Sequence, residues 1–146
     1  MQQKTKIIIG RREKANFPDL GLMDIDVKID TGAYTSSIHC HNIEEHSKQL
    51  HCHFLDEAHP DYNHRKLVFD RYNRTVVKSS NGITEPRYKI FTKIEVGGQE
   101  YPLELTLTDR GEMRYPVLIG RKFLNKKFLV DVSLTNNLKN KKKHEG

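Results

Sequence analysis

The feature that most constrains this chain is a strict alternation of apolar and polar residues that ends in a glycine turn. In the segment MDIDVKIDTG, residues 23–32, an apolar side chain stands at every second position from Met23 to Ile29. A period of two is typical of a half-buried β-strand. We therefore predict a strand whose end presents Asp30, followed by a tight turn that Gly32 allows.

Most of the remaining chain also has the pattern of short strands. In residues 87–107 two alternating runs flank Gly97-Gly98, a dipeptide suited to a tight hairpin turn. Residues 56–75 are mostly polar and indicate a long excursion with a small strand at 67–69. Together these patterns predict a mostly β fold, a closed or partly open β-barrel in a single domain with little helix.

The length and charge of the chain limit its organisation and its ligands. The 146 residues fit one domain, which we place at 1–135, with a basic tail at 136–146 that we expect to be disordered. The tail supplies much of the net charge of +6. No aromatic residue interleaves with its lysines, so we do not expect nucleic acid as the main ligand. The polar start, the missing long apolar runs and the two cysteines predict a cytoplasmic protein without a membrane span.

The triplet His-Cys-His occurs twice, at residues 39–41 and 51–53, and both residue types bind zinc. On paired strands, Cys40 would share a face with Ile38, and Cys52 would share one with Leu50. We therefore predict buried cysteines and solvent-facing histidines. The histidines in question are His39, His41, His51 and His53. A metal site here would be histidine-only, with Glu44 or Glu45, and we predict none; the metal-binding alternative stays open.

The tripeptide Asp30-Thr31-Gly32 matches the catalytic signature of aspartic proteases, although an ordinary Asx turn at a strand end is the alternative. Downstream, PVLIGRKFL contains an apolar strand that ends in Gly120-Arg121, as in the retroviral type. Acid protease chemistry needs two carboxylates that share one proton. This chain has one such aspartate. We therefore predict a homodimer in which Asp30 of each subunit joins to activate water.

Four segments resemble a small bacterial and archaeal family with a retropepsin-like fold, which has been labelled an ATP-dependent zinc protease. They are residues 17–39, 77–90, 103–124 and 128–133. The resemblance implies an aspartic-peptidase β fold, action on a peptide or protein substrate, and an association with ATP-grasp ligases that add glutamate to proteins. The sequence has no phosphate-binding glycine loop and no zinc-protease helix, so we predict no cofactor.

The resemblance also implies the functional residues. Asp30 is the catalytic carboxylate, and Thr31, Gly32 and Ala33 shape its turn. The residues implied for substrate binding or cleft support are Ser79, Ser80, Asn81, Gly82, Glu85, Arg87, Arg110, Arg114, Gly120 and Arg121. Arginines in the cleft would suit glutamate-rich tails because a guanidinium matches a carboxylate, but structural ion pairs of Arg110 and Arg114 are the alternative.

Two departures from viral enzymes limit these expectations. Tyr34 and Thr35 follow the turn where viral enzymes commonly carry an aspartate, so the sequence does not identify a partner for Arg121. No glycine-rich flap is visible, and either residues 56–75 or the Asn81-Gly82 turn would have to cover the cleft. Two other functions stay open. One is a catalytically idle peptide-binding module of the same fold, and the other is a metal-dependent hydrolase that uses the histidines.

Overall fold

The computed structural model describes residues 5–55, 62, 64–78, 81–109 and 115–138. These residues form ten strands, one helical turn α1 (Arg121–Leu124) and one 3-10 turn (Pro18–Leu20). The strands are β1 (Ile7–Phe17), β2 (Leu22–Ile29), β3 (Ser36–His46), β4 (Gln49–Phe54), β5 (Lys66–Phe69), β6 (Tyr72–Lys78), β7 (Thr84–Val96), β8 (Gln99–Thr108), β9 (Val117–Ile119) and β10 (Phe128–Thr135). The predicted mostly β domain with little helix is confirmed.

Six strands pair in a closed circuit. The path runs from β1 through β2, β9, β3, β8 and β7, and the pairing of Asn16 with Glu95 returns it from β7 to β1. The Asn16 side-chain amide also donates to the Glu95 carboxylate over 2.8 Å. The β7–β8 hairpin turns at Gly97-Gly98, both with positive φ, as the sequence predicts.

The short strand β9 lies between β2 and β3. It runs parallel to β2, with Ile29 opposite Ile119, and antiparallel to β3, with Ile38 opposite Val117. Since β2 and β9 are parallel, their carboxyl ends meet at the same edge of the sheet. The turn after Asp30 and the start of α1 therefore lie side by side.

Strands β3 and β4 pair, as the two histidine triplets predict, and β5 extends this second sheet. Cys40 and Cys52 are completely buried in the core. The prediction of solvent-facing histidines is wrong for His39, which is only 4% exposed. His39 lies where β3 is flanked by β8 and β9, so its surroundings are covered, whereas His41, His51 and His53 are half-buried.

The end of β10 is attached to β1 by a buried carboxylate. Glu13 accepts hydrogen bonds from the backbone amides of Gly10, Asn137 and Leu138 at 2.7, 3.0 and 3.0 Å. Leu138 packs in the core beside Gly97. Packed residues thus extend to Leu138 in the described part of the chain, and the predicted boundary at 135 stays a prediction. Residues 139–146 lie outside the described residues.

The core fills the closed circuit and the space under β4, with Phe17, Ile25 and Leu105 fully buried. Apolar residues at alternate strand positions supply most of it, which is the expected stabilising burial for a sheet with one covered face. In the described ranges no helix has the length and hydropathy needed to cross a membrane.

Candidate active site

The turn that carries Asp30 is held by short backbone hydrogen bonds. The amide of Asp30 donates to the Ile119 carbonyl over 2.8 Å, and the amide of Ala33 donates back to the Asp30 carbonyl over 3.2 Å. The Asp30 carboxylate accepts the Gly32 amide at Oδ1 over 3.0 Å. A Cβ at Gly32 would lie 3.3 Å from that oxygen, tighter than an ordinary contact. Asp30 as a whole is half-buried.

The junction between β9 and α1 clamps the same turn from the other side. The amides of Arg121 and Lys122 donate to the carbonyls of Ala33 and Tyr34 over 2.8 and 3.0 Å. A Cβ at Gly120 would lie 2.6 Å from the carbonyl oxygens of both Tyr34 and Thr35. Space, not backbone conformation, therefore requires glycine at position 120, because its φ of −97° is open to any residue.

Arg121 has a backbone partner where viral enzymes use an aspartate. Its Nη1 donates to the Thr31 carbonyl over 2.9 Å, and its guanidinium lies 5.8 Å from the centre of the Tyr34 ring. A charged donor to a carbonyl gives a stronger hydrogen bond than a neutral one. The structure thus supplies the partner that the sequence did not identify, and both contacts stabilise the turn.

Two buried side-chain hydroxyl groups hydrogen-bond to the segments that hold the turn. The Gly120 amide donates to Ser36 Oγ over 3.0 Å, and the Thr106 hydroxyl donates to the Ser36 carbonyl over 3.2 Å. Thr106 Oγ1 then accepts from Arg87 Nη1 over 3.4 Å. Sequence reasoning missed Ser36 and Thr106. Strand alternation gave one signal, since Ser36 lies on the same face as Ile38 and Cys40 and is therefore expected to be buried.

The residues predicted for the cleft are only partly assembled. Arg87, whose side chain is 8% exposed, forms an ion pair with Glu85 at 2.9 Å and reaches the support of the turn through Thr106. Asn81 and Gly82 lie in the turn between β6 and β7. The β6–β7 hairpin ends in exposed apolar side chains at Val76 and Ile83. Ser79, Ser80, Arg110 and Arg114 lie outside the described residues.

The base of the β6–β7 hairpin is fastened to β3. The Tyr72 hydroxyl and Arg74 Nη2 both donate to the Glu45 carboxylate, the arginine over 2.7 Å. These two donors, Tyr72 first, hold the pKa of Glu45 below its usual value, and the bond raises the pKa of Tyr72 to about 12. Arg74 also lies over the Tyr88 ring at 5.4 Å. The base of the hairpin is therefore attached to β3, and Val76 and Ile83 farther along it are exposed.

A pocket of about 720 Å³ lies between the turn and this hairpin. Tyr34, Thr35 and Ser36, directly after the turn, line one side, and Thr75 and Val76 of β6 line the other. A pocket that size holds several residues' side chains or a small ligand. The pocket thus begins directly after the Asp30 turn, and β6 supplies part of its wall, whereas Asp30 itself does not line it.

Positive charge dominates the lining of the pocket. The cationic residues are Arg71, Lys89, Lys93, Lys122 and Lys127, and the acidic residues are Asp19 and Glu104. Arg71 is stacked on Phe91, with 4.5 Å from the guanidinium carbon to the ring centre. Lys122 Nζ and Lys89 Nζ approach Glu104 Oε1 at 2.9 and 3.2 Å. Lys122 first, and then Lys89, hold the pKa of Glu104 below its usual value.

The histidines form pairs of rings on the β3–β4 hairpin. His41 and His53 are stacked with 5.2 Å between ring centres, and His46 and His51 lie 5.0 Å apart. His41 Nδ1 bonds the Leu55 carbonyl at 2.7 Å. No group of three or more His, Cys, Asp or Glu side chains within the described part of the chain is arranged to hold a metal ion.

A protein-family model and a solved crystal structure are both similar to this chain over most of its length. A family model called RimB-like, described as retropepsin-like aspartic endopeptidase RimB, matches residues 8–141. A crystal structure of a Legionella pneumophila protein of unknown function (DUF785) is 27% identical, with a TM-score of 0.66, and covers 92% of this chain and 99% of that one. The retropepsin-like fold predicted from sequence is therefore confirmed.

Longer relatives carry a different name. A "Probable alpha-L-glutamate ligase" of Shewanella pealeana is 42% identical over 132 residues, which is 88% of this chain and 29% of that protein. The protein of the same name from Shewanella halifaxensis is 43% identical over 135 residues, with the same coverage of 88% and 29%. The chain thus spans less than a third of the length of these relatives.

Proposed function

The chain belongs to the RimB-like family of retropepsin-like aspartic endopeptidases, and from this premise we propose that it is an aspartic-type peptidase. In the proposed reaction, Asp30 of each of two subunits forms a dyad across a two-fold axis. One carboxylate takes a proton from water, while the other, protonated, donates a hydrogen bond to the peptide carbonyl. The water oxygen attacks the carbonyl carbon, and the leaving nitrogen takes up a proton.

The observation that carries the proposal is the double clamp on the Asp30 turn. Hydrogen bonds from β9 and α1 reach it at the Asp30 amide and at the carbonyls of Ala33 and Tyr34. Catalytic groups must be held within a fraction of an ångström of their working positions. An ordinary Asx turn would not need a glycine at position 120, where a Cβ would lie 2.6 Å from two carbonyl oxygens.

A requirement for dimerisation follows from the chemistry of the dyad. Two carboxylates about 3 Å apart share one proton because both cannot ionise together. The Asp-Thr-Gly sequence occurs once in the chain, so a second subunit must supply the other carboxylate. The exposed Tyr34 ring and the Arg121 guanidinium lie beside the turn and are available to such a partner.

We further propose acidic, glutamate-modified protein tails as the substrate class. The pocket beside the turn has five cationic side chains and two acidic ones. Such an excess attracts carboxylates and raises their association rate. The names of the longer relatives are consistent with a ligase system as partner, since those proteins combine a segment similar to this chain with further sequence.

The test of the mechanism is hydrolysis of a glutamate-rich peptide by purified protein. Asp30→Asn should lower kcat by about a hundredfold to ten-thousandfold, the range for loss of an acid–base group. Asp26→Asn is the matched control, because Asp26 lies on β2, the strand that leads to Asp30, and forms a partly exposed ion pair with Lys14 at 3.1 Å. Hydrolysis that survives Asp30→Asn would refute the aspartic mechanism.

Subunit mixing tests the shared dyad. When wild-type and Asp30→Asn protein exchange subunits in equal amounts, activity per wild-type subunit should fall by about half, since mixed dimers lack one carboxylate. If each active site is contained within one subunit, the activity per wild-type subunit should not change on mixing.

A second function is a catalytically idle module that binds acidic tails for a ligase. The cationic pocket and the ligase names of the relatives favour it. It predicts that purified protein binds a glutamate-rich peptide at low salt but releases no fragment from it under any pH. The hydrolysis assay above separates the two functions.

A further inference from the structure

Two lysines of the pocket converge on a single oxygen of the protein itself. Lys122 Nζ of α1 lies 2.9 Å from Glu104 Oε1, and Lys89 Nζ of β7 lies 3.2 Å from the same atom. The three residues come from different elements, with Glu104 on β8 between the other two. The lysine pair is therefore arranged around a carboxylate.

The Glu104 carboxylate is displaceable. Its side chain is 36% exposed, and that of Lys122 is 49% exposed. Ion pairs exposed to this extent contribute little to stability because water screens them. Glu104 can therefore leave the lysines at small cost when another carboxylate competes for them.

We propose that Glu104 is a specificity-determining residue that occupies the Lys89–Lys122 pair in place of a substrate carboxylate. A ligand with one carboxylate must compete for the lysines with the Glu104 carboxylate, which has a high effective concentration because it is part of the same protein. A ligand with several adjacent carboxylates has additional cations to engage, namely Lys93, Lys127 and Arg71 around the same pocket. Glu104 thus weakens binding of singly acidic peptides more than binding of polyacidic ones. The inference rests on the acidic substrate class proposed above.

The remaining charges around the pocket are consistent with this assignment. Lys93 approaches Glu100 at a longer 3.7 Å, and Glu100 does not line the pocket. Lys127 Nζ bonds the Phe123 carbonyl at 2.9 Å. Among the described pocket residues, Glu104 is the carboxylate that contacts two pocket lysines.

Binding in an Asp30→Asn background tests the inference without any hydrolysis. The probes are two fluorescent peptides of equal length, one with a single glutamate and one with four consecutive glutamates, measured by anisotropy at low salt. Glu104→Gln keeps the shape and removes the competing charge. It should tighten binding of the single-glutamate peptide roughly three- to tenfold and tighten binding of the four-glutamate peptide less. Glu100→Gln, the matched control on the same strand, should change the dissociation constants of both peptides by less than about twofold.

Each other result overturns the inference. Unchanged or weaker binding by Glu104→Gln, together with a lower Tm, would make Glu104 a structural residue. Equal gains for Glu104→Gln and Glu100→Gln would indicate a general effect of net charge. If neither peptide binds any variant, both the acidic substrate class and this inference are wrong. Asp30-dependent hydrolysis is measured in a separate assay. An absence of hydrolysis would therefore contradict the peptidase function but would not affect the interpretation of the binding data.

Discussion

The amide of Gly120 donates a hydrogen bond over 3.0 Å to the hydroxyl of Ser36, although the two residues are 84 positions apart in the chain. This bond fixes the residue that directly precedes the Arg121 amide, and that amide holds Ala33 in the Asp30 turn. The Ser36 hydroxyl is thereby connected to the turn of the proposed catalytic residue through the backbone of Gly120, Arg121 and Ala33.

Ser36→Ala should loosen the turn because it leaves the Gly120 amide buried without its acceptor. We expect a loss of about 1–3 kcal/mol in the free energy of unfolding and a fall in kcat of about tenfold. The control is Ser37→Ala, since Ser37 is also buried and has no side-chain hydrogen bond to the described residues in the structure. Denaturant titration and kinetics measure both effects. Equal losses in the two variants would contradict the role of Ser36.

Gly120→Ala should lower kcat by about a hundredfold or more. The added Cβ would meet the carbonyl oxygens of Tyr34 and Thr35 at 2.6 Å, a distance that Cβ atoms do not adopt, so either the turn or β9 must move. A displacement of even 1 Å in a catalytic group costs about a hundredfold in rate. The measurement is kcat of a variant protein whose far-UV circular dichroism spectrum matches that of the wild type. Wild-type kcat in this variant would show that the turn does not depend on the close approach.

Arg121→Met should lower kcat and leave the fold intact. The change keeps the aliphatic stem but removes the donor to the Thr31 carbonyl, which is 2.9 Å away. A hydrogen bond from a charged group contributes about 1.5–3 kcal/mol, so the turn becomes less fixed. Arg11→Met is the matched control, since exposed Arg11 also donates to a backbone carbonyl, that of Val132 on β10, which is not part of the turn. Equal kcat values for both variants would refute a specific role for Arg121.

Glu13→Gln should destabilise the whole domain. Glu13 is fully buried and its two oxygens accept three backbone amides, whereas a glutamine has one oxygen and directs an NH₂ group at a donor. We expect a loss of about 2–4 kcal/mol in the free energy of unfolding, measured by urea titration. Glu100→Gln, exposed on β8, should change it by less than about 0.5 kcal/mol. Equal stability of the two variants would contradict the anchoring role.

Stability should fall as the pH drops below about 6.5, and His53 should cause part of that fall. Burial first, and then the neighbouring His41, Lys66 and His64, lower the pKa of His53 from 6.5. The unfolded state then binds more protons than the folded state, so the free energy of unfolding rises with pH through this window and is reduced on the acid side. His53→Gln should therefore lose less stability between pH 8 and pH 5.5 than the wild type. An identical pH dependence would refute this assignment.

Local patterns predicted the strands and turns well. Alternation correctly predicted β2 and the buried face formed by Ile25, Val27 and Ile29, although Met23 at the start of the pattern is exposed. Gly97-Gly98 correctly predicted the β7–β8 turn, because both signals act between near neighbours. The same reasoning failed for His39. Alternation defines two faces of a strand, but only the strands on either side decide whether a face meets water.

The proposed site was partly predictable for the same reason. Asp30, Gly32 and the Gly120-Arg121 pair form recognisable motifs, and the structure brings them together. The partner of Arg121 is a carbonyl, which every residue carries, so no side-chain pattern could identify it.

The sequence by itself determined that this chain forms short strands, turns at its glycines and presents an aspartate at a strand end. Hydrophobic periodicity and backbone sterics act over a few residues, so the linear order contains them. Only the tertiary structure decided that Ser36 supports Gly120, that Glu13 holds Leu138, and that a cationic pocket lies beside the turn. Those relationships join residues far apart in the chain, and their energies exist only after the strands have paired.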